Sequence, residues 1–475
     1  MASFYIENFG CRATQADGAA LERQFLDRGL DRSETARTAG IVVLNTCTVT
    51  EGADKDARAA IRRLRRENPD CRILVTGCYA QRAPEELAAL PGVTWVVGNS
   101  HKHQAAEIAT SPPAGFVSLA QLSGDQGGQV IVGDIFAHTE LLAAPVFEAA
   151  NERTRPNLKV QDGCDNRCSF CVIPYVRGQS RSMPMERVLE EVRSLVGAGY
   201  REVVISGINL GRWGRDLASH QPSAISHQVN LRATSEQRTA NHERLTTGDQ
   251  RLVDLIRAIL DHTSLEKLRI SSVEPMDWSD ELIRLVAGSP RIAKHAHVPL
   301  QSASDAVLRR MHRKYRPWHY REKILKIRAA MPAAAIGADV MVGFPGETEA
   351  EFAETRCMVE ELPFTYLHVF TYSARPGTPA AEQSGQVPVA VARERNRELR
   401  EIAAGKQAEF RRSLVGTTIE AITLRSGNGE STEALTDNYL KMRVPGRWQP
   451  NRWMAVEVEG TEGGALVGRY RPDRS

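Results

Sequence analysis

The sequence predicts an α/β protein of three parts: an N-terminal parallel α/β domain, a partial (β/α)6 barrel and a small C-terminal all-β barrel. Strand and helix signals alternate over the first hundred or so residues and again from 157 to 372, and short alternating segments with Gly and Pro turns follow from 416 to 470. The chain has 475 residues, a length typical of about two to four domains.

The first part, 1–109, is predicted to contain four strands with helices between them. Short apolar runs rich in Val and Ile favour strands at 3–7, 41–45, 72–76 and 93–97. Helical patterns fall at 14–28, 51–67 and 84–90. Strands that alternate with helices in this way form a parallel sheet.

The second part, 151–385, repeats the alternation six times. Strands are predicted at 157–162, 202–206, 267–271, 296–299, 336–342 and 366–371, with helices between them. Six strand–helix units are typical of an open or partial β/α barrel.

Three segments interrupt or follow this pattern. Residues 110–150 contain a Ser-, Pro-, Gly- and Gln-rich stretch and are interpreted as a linker, and polar residues 217–250 as a flexible insertion. A charged helical connector is predicted over 386–412. The remainder, 413–475, contains the alternating segments 418–423 and 453–458, which predict the small β-barrel.

The composition excludes several classes of protein. No stretch of about eighteen apolar residues is present, so no membrane span is predicted, and the first residues resemble a strand and not a signal peptide. A cytoplasmic location is expected. Eight cysteines are too few for a disulfide scaffold in a chain of this length. The net charge of +3 permits a nucleic-acid partner without requiring one.

The most informative motif is Cys164, Cys168 and Cys171, spaced C-x3-C-x2-C directly after the first barrel strand. Three thiolates on one loop suit an iron–sulfur cluster with one iron left open for a substrate. The alternative is a zinc site, but structural zinc usually takes four protein ligands, and no Cys or His follows Cys171 for about thirty residues.

A second cysteine set consists of Cys11, Cys47 and Cys78, each directly after a predicted strand of the first sheet. Because parallel strands end at one edge of a sheet, these thiols are expected to converge in a second metal site. The alternative is that they are small buried residues. Cys71 precedes its strand and Cys357 lies within a helical pattern, so both are expected to be packed thiols.

The two cysteine triplets and the C-terminal segment together resemble the methylthiotransferase family of radical S-adenosylmethionine enzymes. The resemblance implies an N-terminal methylthiotransferase domain, a radical-SAM barrel and a C-terminal TRAM barrel. Within the family, segments 45–50, 76–81, 309–315 and 436–441 are most similar to the branch that modifies N6-threonylcarbamoyladenosine in tRNA. Two other branches modify isopentenyladenosine in tRNA or an aspartate of a ribosomal protein, and both stay open as alternatives.

The resemblance also implies the cofactors. Cys164, Cys168 and Cys171 would hold a [4Fe–4S] cluster that reductively cleaves S-adenosylmethionine to a 5′-deoxyadenosyl radical. Cys11, Cys47 and Cys78 would hold an auxiliary [4Fe–4S] cluster that carries the sulfur, with two S-adenosylmethionine molecules consumed per turnover. No catalytic residue is expected beyond these ligands. The implied partners are tRNA at adenosine 37, a reductant such as flavodoxin or ferredoxin, and a sulfur donor, and the chain is expected to be a monomer.

Weaker candidates lie at the ends of barrel strands, where barrel sites form. S-adenosylmethionine contacts are predicted at Ser206, Gly207, Asn209, Glu274, Gln301 and Asp339, although a plain turn or cap explains each position equally well. RNA contacts are predicted in the C-terminal barrel at Asn438, Tyr439, Lys441 and Arg443, with barrel core as the alternative for Tyr439. A non-catalytic RNA-binding metal protein stays open as a function of a different class.

Overall fold

The computed structural model describes residues 3–111, 127–137, 141, 154–217, 251–427 and 429–472. The insertion predicted at 217–250 lies outside the described residues except for Leu217, as does most of the linker predicted at 110–150. Among the described helices, none is long and apolar enough to cross a membrane.

The N-terminal domain is a six-stranded parallel sheet in the order β2-β1-β3-β4-β5-β6. Its strands are β1 (Ser3–Asn8), β2 (Asp31–Arg32), β3 (Ile41–Thr46), β4 (Arg72–Gly77), β5 (Val93–Val97) and β6 (Gln129–Ile131). Its helices are α1 (Arg12–Asp27), α2 (Glu51–Glu67), α3 (Cys78–Arg82), α4 (Pro84–Ala88) and α5 (Ala105–Thr110). The four predicted strands are therefore present, and β6 lies within the segment interpreted as a linker.

The burial of β3 explains why this sheet is central to the domain. All six residues of β3 are buried, and alternate side chains point to opposite faces of the sheet. Val42 and Leu44 pack with α2 in one apolar cluster, whereas Ile41 and Val43 pack with residues of α1 in another. A strand covered on both faces has the continuous apolar run that made it predictable.

The second domain contains six parallel strands arranged as a partial barrel. They are β7 (Asn157–Asp162), β9 (Glu202–Gly207), β10 (Lys267–Ile270), β11 (His295–His297), β12 (Ala335–Val342) and β13 (Tyr366–Thr371), and the short β8 (Arg181–Ser182) pairs antiparallel to β7. One sheet has the order β10-β9-β7-β8 and the other β11-β12-β13. A single parallel bridge between Leu268 and Ile292 connects the two.

Helices cover the outside of this partial barrel. They are α6 (Ile173–Arg177), α7 (Met185–Gly197), α8 (Leu252–His262), α9 (Asp280–Gly288), α10 (Asp305–Arg310), α11 (Pro317–Ala330) and α12 (Glu349–Glu361). The long α13 (Val389–Ser413) follows as the predicted connector. Outward-facing strand residues such as Val203, Leu268 and Ile336 pack with these helices in one large apolar cluster.

The inward-facing residues of the six strands are mostly polar. The lumen contains Lys159, Glu202, Arg269, His297 and Asp339. Along each strand these residues alternate with the apolar residues that face the helices. A lumen lined with charged and hydrogen-bonding side chains is suited to a polar ligand, because apolar packing does not fill it.

The C-terminal domain is a closed barrel in the strand order β14-β15-β16-β18-β17. Its strands are β14 (Thr418–Gly427), β15 (Ser431–Thr436), β16 (Lys441–Pro445), β17 (Trp453–Glu462) and β18 (Ala465–Tyr470). Its core includes Ala421, Met442, Val444 and Val456. The predicted small all-β barrel is confirmed.

The turn between β15 and β16 docks this small barrel against the base of the larger one. Arg269 is fully buried and donates to the carbonyls of Asp437 at 3.0 Å and Thr436 at 3.4 Å. Its Nε also donates to Glu202 Oε1 at 2.6 Å. The Tyr439 ring centroid lies 5.3 Å from the Arg269 Cζ atom and 4.9 Å from the His295 ring. The turn therefore forms part of the wall of the lumen.

We expect Arg269→Ala to lower the free energy of unfolding by about 3–5 kcal/mol, because the buried Glu202 carboxylate would lose its main cation. Only Arg155, whose Nη1 lies 3.7 Å from Glu202 Oε1, would remain. Denaturant unfolding under anaerobic conditions measures the change. The matched control is Arg257→Ala, which removes an ion pair to Glu281 whose side chains are 47% and 29% exposed. That change should cost at most about 1 kcal/mol, and equal effects would contradict the role given to Arg269.

Candidate metal centres

The first cysteine triplet lies on the loop that leaves β7. Gly163 has φ +69°, and a Cβ atom there would collide with the carbonyl oxygen of Gln179, so this turn requires glycine. Backbone bonds then fix the loop: Cys164 N donates to Gly178 O at 3.1 Å, and Cys171 N donates to Cys168 O at 3.1 Å. The three thiols lie, as predicted, just past the carboxyl end of the first barrel strand.

Two side chains donate to the sulfur atoms of this loop. Asn209 Nδ2 lies 3.6 Å from Cys164 Sγ, and Arg313 Nη1 lies 3.4 Å from Cys168 Sγ. Arg313 also pairs with Glu274. Donors at this distance stabilise negative charge on thiolate ligands and tune the metal that they bind.

The donor set fits an iron–sulfur cluster better than a zinc ion. Three soft thiolates on one loop suit a [4Fe–4S] cluster with one iron left open. Structural zinc usually takes four protein ligands. Burial raises the pKa of Cys171 to about 12 and also raises that of Cys164. Any metal that binds here must therefore displace these thiol protons.

The second cysteine triplet lies at the carboxyl edge of the first sheet, where Cys11, Cys47 and Cys78 follow the ends of β1, β3 and β4. A Cβ atom on Gly10, which has φ +97°, would lie 2.5 Å from the Cys47 Cβ atom, so the turn before Cys11 comes close to Cys47. Burial chiefly raises the pKa of Cys47 to about 12, and the neighbouring Cys78 and Cys11 thiols contribute. Cys47 and Cys78 are buried, while Cys11 is exposed.

The two triplets lie on facing parts of the two domains. Cys78 packs with Val172 and Val176, which follow Cys171 along the chain. Asn99 donates both to Cys78 Sγ at 3.6 Å and to the carbonyl of Val176 at 2.7 Å. The arrangement brings both sets of thiols to the interface between the N-terminal domain and the barrel.

A buried charge cluster holds this interface together; it consists of Asp17, Lys102, Lys159, Asp162 and Arg177. Asp17 Oδ2 accepts from Lys102 Nζ at 3.0 Å and from Arg177 Nη2 at 2.9 Å, and Asp17 Oδ1 accepts from Lys159. Asp162 accepts from Lys159 Nζ at 2.8 Å and from Arg177 Nη1 at 3.0 Å. Three cations thus face two carboxylates, and the charge of Arg177 also acts on Cys78 and Cys11.

Sequence reasoning did not find this cluster, because its members come from separate segments. Lys159 gave one available signal: it is a charged residue between the apolar residues Leu158 and Val160 of a predicted strand, and a charged residue that is buried needs a partner. Asp17 and Arg177 lie in helical segments where a charged side chain is ordinary. Burial alone would raise the pKa of Asp17, but Lys102, Lys159 and Arg177 outweigh it and hold that pKa well below its usual range.

The cofactor candidates at the end of β9 lie beside the first triplet. The backbone N of Asn209 donates to Gln161 Oε1 at 2.7 Å, and a Cβ atom on Gly207 would lie 2.7 Å from that same oxygen. Ser206 Oγ and Asn209 Oδ1 are buried and have no hydrogen-bond partner in the part of the chain that the structure describes. Buried unpaired polar atoms are costly, so these two fit a bound polar ligand.

The other cofactor candidates are more dispersed. Glu274 lies near the cysteine loop but is occupied by Arg313. Gln301 adopts φ +63°, and its backbone N donates to the carbonyl of Asp339 at 2.8 Å. The Asp339 carboxylate lies 3.3 Å from His297 Nε2. Gln301 and Asp339 therefore lie on the β11–β12 side of the lumen, away from β9.

The structure corrects one of the four predicted RNA contacts, Asn438, and places a second, Tyr439, at a domain interface. Asn438 is buried and donates to the carbonyl of Ala333 at 3.0 Å, and Tyr439 lies between the two barrels against Arg269. Both are interface residues, because their turn docks on the base of the lumen. Lys441 and Arg443 point outward from β16 as predicted, although Arg443 pairs with Glu462 at 3.1 Å.

The two remaining cysteines differ from each other. Cys71 is buried in an apolar cluster of the first sheet, as expected. Cys357 is exposed on α12, so the expectation that it is packed is wrong. The sequence placed Cys357 in a helix, but it did not show whether the residue lies on the buried or the exposed face of that helix.

A cavity of about 550 Å³ lies where all three domains meet. Its wall contains the guanidinium groups of Arg12, Arg155 and Arg425, together with Tyr439 and Asn157. Its three arginines make the cavity strongly basic.

Comparisons with known proteins agree with this architecture. Residues 3–98 match the model of "Uncharacterized protein family UPF0004", and residues 158–357 match the Radical SAM superfamily. The chain is 34% identical over 455 residues to threonylcarbamoyladenosine tRNA methylthiotransferase MtaB of Bacillus subtilis, which covers 94% of this chain and 91% of that protein. The same enzyme of Aquifex aeolicus is 34% identical, with 95% and 99% covered.

A relative with a different substrate and one solved structure are also similar. The tRNA-2-methylthio-N(6)-dimethylallyladenosine synthase of Roseobacter denitrificans is 32% identical, with 92% of this chain and 91% of that protein covered. The radical S-adenosylmethionine methyltransferase TsrM of Kitasatospora setae, solved with cobalamin and a [4Fe–4S] cluster, matches with a TM-score of 0.53 and 14% identity. That match covers 80% of this chain and 77% of TsrM and supports the fold.

We expect Cys164→Ala and Cys47→Ala to give separable defects, because the two triplets lie on different domains. Each variant should lose roughly half of the iron of the reconstituted protein if each triplet holds one cluster. Only Cys164→Ala should abolish formation of 5′-deoxyadenosine. Iron analysis and anaerobic product assays test this, with exposed Cys357→Ala as the control. Full iron content in Cys47→Ala would show that the second triplet is not a metal site.

We expect Asp17→Asn to lower the free energy of unfolding at neutral pH by about 3–5 kcal/mol, because three buried cations would keep only one carboxylate. The folded pKa of Asp17 lies below the ordinary value of 3.8. Its contribution is therefore complete above that pH and lost as the pH falls below it.

Stability curves measured from pH 7 down to pH 3 should fall less steeply for Asp17→Asn than for the unaltered protein. The control is Asp56→Asn, an exposed position on α2, which should change stability by no more than about 0.5 kcal/mol. Parallel curves for all three proteins would contradict the role of the buried charge cluster.

Proposed function

Because this chain belongs to the methylthiotransferase family of radical S-adenosylmethionine enzymes, we propose that it converts N6-threonylcarbamoyladenosine at position 37 of tRNA to its 2-methylthio derivative. The observation that carries this proposal is the meeting of two cysteine triplets across one interface. Relatives named for this reaction are 34% identical over nearly the whole chain and so support the choice of substrate.

In this proposal, Cys164, Cys168 and Cys171 hold one [4Fe–4S] cluster, and Cys11, Cys47 and Cys78 hold another. When bound, the barrel cluster supplies the electron that cleaves S-adenosylmethionine and so starts radical chemistry at an aromatic carbon that no side-chain base can deprotonate. Arg313 and Asn209 donate to the thiolates of the barrel loop. Ser206 and Asn209 offer unpaired polar atoms to the polar end of S-adenosylmethionine.

The remaining residues position and shield the reaction. The buried charge cluster fixes the position of one cysteine triplet relative to the other, because moving either domain would separate buried ion pairs. The lumen of the barrel accepts the nucleoside, and the C-terminal barrel contacts the tRNA through the exposed Lys441. S-adenosylmethionine serves as cosubstrate, with two molecules consumed per turnover.

The proposal includes partners outside the chain. A low-potential reductant such as flavodoxin or ferredoxin supplies electrons, and a separate donor supplies sulfur. The protein acts as a cytoplasmic monomer, where tRNA is processed. The second candidate is methylthiolation of dimethylallyladenosine in tRNA, which the similarity to the Roseobacter denitrificans synthase favours. The match to the radical SAM model argues against a non-catalytic RNA-binding protein.

Mass spectrometry of tRNA nucleosides from a strain that lacks this protein tests the proposal. We expect 2-methylthio-N6-threonylcarbamoyladenosine to disappear and its unmethylthiolated precursor to accumulate. The unaltered gene should restore the product, whereas a gene encoding Cys164→Ala should not. If the 2-methylthio derivative of dimethylallyladenosine is lost instead, the second candidate is correct.

A further inference from the structure

Arg12 is one of three arginines in the wall of the cavity at the base of the lumen. Its Nη2 donates to the Tyr439 hydroxyl at 2.9 Å, and no ion pair involves it among the described residues. Three cations of the lumen, in contrast, each pair with a carboxylate: Arg269 with Glu202, Lys159 with Asp17 and Asp162, and Arg313 with Glu274. Arg12 is thus available to an anionic group of a ligand.

The position of Arg12 is fixed from both sides. It directly follows Cys11, and its carbonyl accepts from Asn157 Nδ2 at 2.8 Å, which ties the start of α1 to the first barrel strand. Its Cζ atom lies 5.6 Å from the centroid of the Tyr439 ring. The guanidinium therefore projects from the second cysteine set into the cavity of about 550 Å³ where the three domains meet.

The chemistry of the substrate supplies the matching group. A threonylcarbamoyl substituent ends in a carboxylate, whereas a dimethylallyl substituent is uncharged and apolar. A carboxylate that leaves water is costly unless a cation with hydrogen-bond donors receives it. Arginine is well suited, because its planar fork binds a carboxylate through two parallel bonds.

We propose that Arg12 binds the carboxylate of the threonylcarbamoyl group and determines which N6 substituent the enzyme accepts. This inference rests on the proposed function. The adenine then lies toward the thiols next to Arg12, and the substituent extends into the basic cavity. Tyr439 is a positioning residue here, since its hydroxyl holds the guanidinium in place from the C-terminal barrel.

The experiment uses reconstituted full-length enzyme and three anticodon stem-loop RNAs that differ only at adenosine 37. One carries threonylcarbamoyladenosine, the second carries its carboxyl methyl ester, and the third carries dimethylallyladenosine. Affinity and kcat/KM are measured for each RNA. The unaltered enzyme should bind the acid roughly 10- to 100-fold more tightly than the ester, the range of a hydrogen bond to a charged group.

Arg12→Gln should reduce the preference for acid over ester to near unity, and Arg12→Lys should retain part of it. The control is Arg257→Gln on α8, an arginine outside the cavity whose side chain is 47% exposed, and this change should leave the ratio of acid to ester unchanged. Iron content is measured for every variant, because Arg12 neighbours Cys11. The comparison of acid with ester in the unaltered enzyme does not depend on the folding of any variant.

The outcomes separate the two proposals. An unaltered enzyme that methylthiolates the dimethylallyl RNA and not the threonylcarbamoyl RNA overturns the proposed function. An enzyme that modifies the threonylcarbamoyl RNA but binds acid and ester equally overturns only the role of Arg12. The role of Arg12 is also overturned if Arg12→Gln leaves the ratio of acid to ester affinity unchanged, or if it weakens binding of the acid and the ester equally.

Discussion

The buried charge cluster between the N-terminal domain and the barrel is the constraint on which the rest of the structure depends. Asp17 pairs with Lys102 of its own domain and with Lys159 and Arg177 of the barrel, and all four side chains are buried. Such a cluster adds little net stability compared with apolar packing, because desolvating five charges is costly. Its value is geometric: any shift between the domains leaves a buried charge without its partner.

That constraint explains how two thiol sets from different domains keep a fixed relation. Asp162 directly precedes the turn that leads to Cys164, and Arg177 ends the helix that follows Cys171. The cluster therefore holds both ends of the barrel loop while it binds α1, the helix that begins after Cys11. Chemistry shared between groups on two domains requires this kind of rigid spacing.

Much of the fold could be predicted from the sequence because buried parallel strands carry strong local signals. β3 and the six barrel strands are short runs bounded by turns, and Cys11, Cys47 and Cys78 do follow the carboxyl ends of three strands of one sheet. Strand β6 could not be predicted, since three residues at a sheet edge, none of them fully buried, leave no periodic pattern. The buried charge cluster and Arg12 were also missed, because their roles arise only when distant segments meet. Asn438 was misassigned for the same reason, because a polar turn on a small barrel resembles an RNA-binding surface in composition until its docking partner is known.

The docking of the β15–β16 turn has a consequence for the modularity of the protein. The turn supplies Tyr439 to the wall of the lumen and two carbonyl acceptors to Arg269, so the C-terminal barrel is built into the core and is not an appendage. Exchanging this barrel between related enzymes would therefore replace part of the lumen wall as well. A chimera that folds has to inherit the turn together with the arginines that it contacts.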